Sequence, residues 1–352
     1  MKPEQWAVFK RAARLEKLEK IPMAMIIDSP WIPGYVGVKH LDFFLNPQVW
    51  FESHHRIHQE FPDITFVPGW WMEYGMAAEP SILGAKIKFW QDNTPSEYAM
   101  LFNLDDVDKL PEYEVEADGF AALTLHRIRM QKQQVWDTGE IMPIVTSRGP
   151  MCTAGFARGT TELMIDLVEN PAGAHKLLDL CTRVVIDWLK AQERALGRDV
   201  EGIFLLDDIV GFVNEEHYQE FCHPYLKRIC DAFPKDWVKI YHNDADVEAC
   251  LDHLPDVGFN VLNWGKQTDI ADVKARVGDR MCLMGNVNPL EVGVRGTPEE
   301  VREATLEVLE KGGDRGMILS VGGGTSPGMP KANILAMQAA LAEFNLAHFG
   351  VK

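Results

Sequence analysis

The sequence predicts an α/β protein, a (β/α)8 barrel with a long insertion between its second and third strands. Three observations lead there. Short apolar runs recur along the chain, each followed by turn residues and then a helical pattern. Continuous apolar runs suit strands buried on both faces, as in a parallel sheet covered by helices. Eight such units in 352 residues fit one barrel better than a doubly wound sheet. The chain 1–352 therefore reads as a single domain.

Met1–Lys20 is expected to be an amphipathic helix rich in Lys, Arg and Glu. The eight strands are expected at Ile21–Ile27, Asp63–Val67, Met142–Thr146, Gly202–Leu206, Val238–Tyr241, Phe259–Leu262, Met281–Met284 and Met317–Val321. Between strands two and three, the stretch Gly69–Ile141 is too long for one crossover. It reads as an insertion (69–141) over one barrel end, with a hairpin near Ala85–Trp90. Asn170-Pro171 is a cap followed by Pro at the first helical position. Leu177, Leu178, Cys181, Val184, Val185 and Trp188 then repeat at helical spacing, and Gly197 supplies a stop. Glu215–Ala232 carries a helical pattern. Thr297-Pro-Glu-Glu300 is a capping box, and Gly312-Gly313 ends the helix that follows. The last helix is expected over Lys331–Leu346.

The formal net charge is −17. Nucleic acid and anionic lipid surfaces both need Lys/Arg stripes, so both are excluded as partners. An anionic small molecule is not, since a few local Arg residues suffice for it. The six cysteines form no C-x-x-C pair and are too sparse for a disulfide scaffold, which points to a reduced, cytoplasmic setting. No run of 18 apolar residues is present, so no membrane span is expected. The N-terminus lacks the apolar stretch and cleavage site of a signal peptide.

In such a barrel the chemistry sits where strands end and βα loops begin. The strand ends hold Asp28, then Pro68 with Trp70-Trp71, Ser147-Arg148, Asp207-Asp208, His242-Asn243-Asp244, Asn263-Trp264, Gly285-Asn286 and Gly322-Gly323-Gly324. Asp207 and Asp208 could serve as general base or metal ligand, or as a helix cap and a solvated side chain. His242 suits zinc, with Asp244 as a second ligand or as the partner that orients the ring. His54, His55 and His58 lie on one helix without acidic partners at helical spacing and read as a solvated face. Cys222 lies inside a helical pattern and reads as a small core residue. Trp70, Trp71 and Trp264 form either an aromatic wall for a flat substrate or part of the core. The glycine run either brings backbone N–H groups to an anion or makes a plain turn.

Several segments resemble the uroporphyrinogen decarboxylase superfamily. They are Gly285-Asn-Val-Asn-Pro289, Gly296-Thr-Pro-Glu-Glu-Val301, Ile318-Leu-Ser-Val-Gly-Gly-Gly324 and Pro330-Lys-Ala-Asn-Ile334. Upstream, Gly202-Ile-Phe-Leu-Leu-Asp-Asp208, Phe221-Cys-His-Pro-Tyr-Leu226 and Pro68 with Glu79-Pro-Ser fit the same pattern. The resemblance implies a (β/α)8 barrel, often dimeric, that is either a porphyrinogen decarboxylase or a methyltransferase working with corrinoid proteins or coenzyme M. The arginine motif by which the decarboxylases grip porphyrin carboxylates is replaced here by Asp28-Ser-Pro-Trp-Ile-Pro-Gly-Tyr35, and their C-terminal Gly-His-Gly by Gly322-Gly-Gly324. The zinc-binding His-x-Cys of coenzyme M-type members becomes His242-Asn-Asp244, and glycine stands where their last Cys would be. Members acting on methoxylated aromatics are similar in using carboxylate-containing zinc sites.

The expected activity is transfer of a methyl group from a small methoxylated, aromatic substrate to a corrinoid (cobalamin) carried by a partner protein. Zinc would be held by His242, Asp208 and Asp244. Asp207, Asp208 and His242 form the expected catalytic set. Asp28, Trp70, Trp71, Arg148, Trp264 and Asn286 form the expected substrate-binding set. The alternatives are a metal-free decarboxylase of a smaller acid, with Arg148 on the carboxylate, and a non-catalytic barrel.

Overall fold

A computed structural model describes residues 1–351. Eight short parallel strands form the barrel wall: β1 (Ala24–Ile26), β2 (Thr65–Val67), β3 (Ile144–Arg148), β4 (Gly202–Leu206), β5 (Val238–Asn243), β6 (Val261–Trp264), β7 (Cys282–Val287) and β8 (Met317–Val321). Each overlaps an apolar run of the sequence. Strands β3 to β8 pair in chain order as one sheet of six, and β1 pairs with β2. Sample registers are Ile144↔Gly202, Gly202↔Val238 and Val261↔Cys282. A bridge between Met23 and Leu319 joins β1 to β8.

Among the described residues no ladder joins β2 to β3, which is the point where the chain carries its insertion. There the buried Gln192 of helix Pro171–Leu196 stands in for a strand. Its amide accepts from the Thr146 N–H at 3.2 Å and donates to the Thr146 carbonyl at 2.9 Å. A strand edge that would otherwise bury two unpaired backbone groups is thereby satisfied.

Side chains alternate across each strand. Ala24, Ile26, Val67, Ile144, Phe204, Leu206, Val238, Ile240, Val261, Cys282, Met284 and Ile318 form the barrel interior. Trp6 and Phe9 of helix Pro3–Ala13 join that cluster. Trp6 would touch a Cβ placed on Gly202, at the start of β4, so the helix closes the N-terminal end of the barrel. Residues of opposite parity, among them Val145, Leu205, Tyr241 and Trp264, pack outward with the helices.

The helix signals translate into observed caps. The Asn170 side chain accepts from Gly173 N–H at 3.1 Å, and Gly197 stops that helix at φ 81°. Thr297 and Glu300 close a capping box on helix Pro298–Gly312. The last helix runs Lys331–Phe349. The insertion carries its hairpin as Ile87–Lys88 paired with Ser96–Glu97.

Three expectations change. The first helix is shorter, ending at Ala13. The pattern 215–232 is two helices, Glu215–Phe221 and His223–Asp231. Pro224 sits in the first turn of the second, because proline lacks the N–H that a continuous helix would need and clashes with the carbonyl four residues back. The histidines of helix Pro47–Glu60 are not a solvated face, since His54 and His58 are buried. Both lie against Trp70, and His58 Nδ1 sits 2.6 Å from Glu140 Oε2. The acidic partner of His58 comes from the far end of the insertion, where helical spacing could not reveal it. No helix is long and apolar enough to cross a membrane.

Candidate active site

The inward parity of each strand, continued past the apolar filling, leads to the polar strand ends. Beyond Ile26 comes Asp28, beyond Leu206 comes Asp208, and beyond Ile240 come His242 and Asp244. Val261 leads to Asn263 and Met284 to Asn286, while Ile144 and Thr146 lead to Arg148. An apolar plug is thus capped by a titratable layer at the C-terminal mouth.

Its centre is His242. Nδ1 lies 2.7 Å from Asn263 Oδ1. The Asn263 amide nitrogen donates to the carbonyls of Met284 (2.7 Å) and Val321 (3.1 Å), which fixes the amide with its oxygen toward the histidine. Nδ1 therefore carries the proton and donates it, and Nε2 faces the mouth. Nε2 lies 3.7 Å from Asp208 Oδ1 and 3.5 Å from Asp244 Oδ1. The Asp244 N–H donates to Asp208 Oδ1 at 2.7 Å, so the two carboxylates are braced together. One ligand atom from each of the three residues lies within 4.8 Å of the others.

The glycine run explains the position of Asp244. The Gly324 N–H donates to its carboxylate. Gly323 sits at φ 94°, and a Cβ there would collide with Asp244 Oδ1. The anion served by these backbone groups is thus the protein's own side chain.

Burial pulls the His242 imidazole down, but Asp244, Asp208 and the bond to Asn263 outweigh it and lift its pKa to about 9. For Asp244 burial acts upward and His242 downward, and the net shift is downward. Asp28 is pushed up to about 8 by burial and then by Glu73, against the pull of Arg148. Glu73 is also raised by burial, and its Oε1 accepts from the Ser29 N–H at 2.8 Å. Burial acts downward on Arg148, but Glu73, Glu79 and Asp208 raise it overall.

The remaining candidates divide. Trp71 is half-buried and lies against the interior residue Phe204 (centroids 6.2 Å apart), with the Arg148 guanidinium 5.6 Å from its ring. Asn286 is half-buried, its amide donating to Thr268 O at 3.3 Å. Trp70 turns away into the histidine-lined core and donates to Glu140 at 2.7 Å. Trp264 has outward parity, is fully buried and donates to Thr268 O at 2.9 Å. Asp207 also points outward. It accepts from Cys152 N–H at 2.7 Å at the start of helix Pro150–Arg158, so it acts there as a cap. Cys222 is buried in the core.

Asn263, a strand-end residue, and Glu79, part of a family segment, belong to the neighbourhood without having been given a role in the sequence, and Glu73 was not named there at all. Asn263 shares the phase of Val261 and was findable from period two. Glu79 ties the strand end in place, its Oε1 accepting from Ser147 Oγ (2.9 Å) and Arg148 N–H (2.8 Å). Glu73 sits in irregular chain and carries no periodic signal.

A solved methyltransferase from Methanosarcina mazei superposes with a TM-score of 0.77 at 20% identity, covering 96% of this chain and 97% of that one. A B12-independent methionine synthase from Shewanella sp. W3-18-1 superposes at 0.52 and 10% identity, covering 84% and 86%. These likenesses concern the fold. Among curated relatives, the uroporphyrinogen decarboxylase of Methylococcus capsulatus is 25% identical over 76% of this chain and 77% of its own length. That of Chloroherpeton thalassium is 24% identical over 94% and 95%. The family model for uroporphyrinogen decarboxylase (URO-D) matches residues 8–344. With nearly its whole length matched, the chain belongs to the uroporphyrinogen decarboxylase family.

Proposed function

We propose that the protein is a methyltransferase that takes a methyl group from a small methoxylated, aromatic substrate and passes it to a corrinoid carried by a separate protein. The observation that carries this reading is the geometry of His242, whose Nε2 faces two braced carboxylates while Nδ1 is held by Asn263. One imidazole nitrogen and two carboxylate oxygens with an open side make a ligand set of the kind catalytic zinc uses. When bound there, zinc would act as a Lewis acid on the ether oxygen and favour the phenolate as leaving group. Asp208 and Asp244 would fix the position of that oxygen relative to His242. Trp71 would offer a face to the aromatic ring, and Asn286 a polar edge at the mouth. The free, buried state of all six cysteines supports a reducing, cytoplasmic setting and leaves ligation to nitrogen and oxygen.

Elemental analysis of the purified protein tests the metal. One zinc per chain is expected, and His242→Ala is expected to lose it. Metal-free protein with undiminished methyl transfer would remove zinc from the proposal. The transfer itself is read as methylation of added corrinoid protein in the presence of a methoxylated phenol. A second reading, metal-free decarboxylation of a smaller acid, is supported by the names of the curated relatives. Release of CO2 without any corrinoid protein would favour it.

A further inference from the structure

Asp28 follows β1 by two residues and shares the inward parity of Ile26. Its Oδ1 is buried and has no hydrogen-bond partner. Among the described residues, no hydrogen bond or ion pair reaches its other oxygen either, and none joins it to His242, Asp208 or Asp244. Oδ2 would lie 3.7 Å from a Cβ on Gly324, and the N–H of that glycine is given to Asp244. The charged groups that bear on Asp28 are Glu73, Arg148, His242 and Asp244.

Glu73, in the chain beyond β2, is buried and is served differently. Its Oε1 accepts from the Ser29 N–H at 2.8 Å, and the Gly75 backbone also favours its charged form. Arg148 acts on both acids. Two neighbouring buried carboxyls beside one guanidinium do not both stay ionised, and hydrogen bonds from N–H groups decide which one keeps the charge. Glu73 has such bonds and Asp28 has none, so the proton rests on Asp28. A neutral carboxyl there is a donor without an acceptor among the described residues.

Resting on the methyltransferase reading above, we propose that Asp28 is the acid of the reaction, delivering its proton to the oxygen that the methyl group leaves, so that the product departs as a neutral phenol. The methyl carbon–oxygen bond breaks with its electron pair on oxygen, and the Asp28 O–H bond breaks to close that oxygen. The pair for the new methyl bond comes from the reduced corrinoid acceptor. Asp28, left as a carboxylate beside Glu73, recovers its proton from solvent at the mouth. A positioned acid speeds such a step by roughly 10²–10⁴-fold, and most when the leaving oxygen is basic.

Infrared difference spectroscopy of the intact protein at pH 7 reads the proton without any turnover. The carbonyl band of one protonated carboxyl is expected in the wild type and missing in Asp28→Asn, and identical spectra would overturn the proposal. Single-turnover methyl transfer to added corrinoid protein reads the role, with 4-methoxyphenol and the electron-poor 4-methoxybenzonitrile as donors. Asp28→Asn is expected to slow the first by about 100-fold and the second by only about tenfold, because the cyanophenolate needs its proton less. Equal slowing of both, which a structural role would give, or slowing of neither, would overturn it. Should Asp28→Asn not fold, the wild type decides. Transfer from 4-methoxyphenol should then fall relative to the nitrile as pH rises through about 8, and a ratio unchanged with pH would overturn the proposal. If neither donor ever gives up its methyl group, the methyltransferase reading fails and the acid role with it, while the infrared band still places the proton on Asp28.

Discussion

The proton on His242 is set by a neighbour that touches no substrate. Asn263 can present only its oxygen to Nδ1, because two backbone carbonyls hold its nitrogen. Partners of this kind orient metal ligands, and their loss weakens metal binding by roughly 10–100-fold. Asn263→Ala is accordingly expected to lose zinc to a competing chelator at correspondingly lower chelator concentration, and an unchanged competition curve would deny Asn263 this role. Much of this layer was legible in the sequence, since His242, Asp208 and Arg148 close apolar runs. What the sequence could not separate was Asp207 from Asp208. Adjacent residues on a strand face opposite ways, and which faces inward depends on a phase that the fully apolar run Gly202–Leu206 does not reveal.

Among the elements, helix Pro150–Arg158 owes its first turn to Asp207. The carboxylate takes the Cys152 N–H, and a Cβ on Gly149 would occupy the space of that carboxylate. Burial raises the Asp207 pKa to about 7, so the site asks for an acceptor more than for a charge. Asp207→Asn keeps an acceptor and is expected to stay near wild-type stability in urea, whereas Asp207→Ala should lose about 1–2 kcal/mol. Equal stability of the two variants would contradict the capping role. Caps built from neighbours in sequence, such as Asn170 and Thr297, were readable directly. Asp207 caps a helix more than fifty residues upstream, and only the fold makes that pair adjacent.

For the whole molecule, acid is the condition that tests helix Pro47–Glu60. Burial lowers the His54 pKa to about 3, against an unfolded value of about 6.5. Between those values the unfolded chain binds the extra proton, so stability is full above about pH 6.5 and is lost as pH falls toward 3. This single group contributes a slope of up to about 1.4 kcal/mol per pH unit. His54→Leu should flatten the fall of urea midpoints between pH 6 and 4, and parallel profiles would assign the acid sensitivity elsewhere. The barrel class was legible because eight apolar runs count themselves. The burial of His54 and His58 was not, because it depends on Trp70, in the loop beyond the next strand, and on Glu140, which lies far along the chain.

The junction at β2 and β3 gives the barrel the mechanics of a split ring. Seven joints are made by strand pairing or a β-bridge, and at the eighth the edge of β3 meets a side-chain amide from a helix in place of β2. Trp71 follows one lip and Arg148 ends the other, so the spacing between them is the first dimension to change when the ring flexes. A ligand gripping both would act as a clasp. Backbone amides at Ile144–Arg148 should then exchange with deuterium more slowly once a ligand is bound, while the continuous joints between β5 and β6 stay as they were.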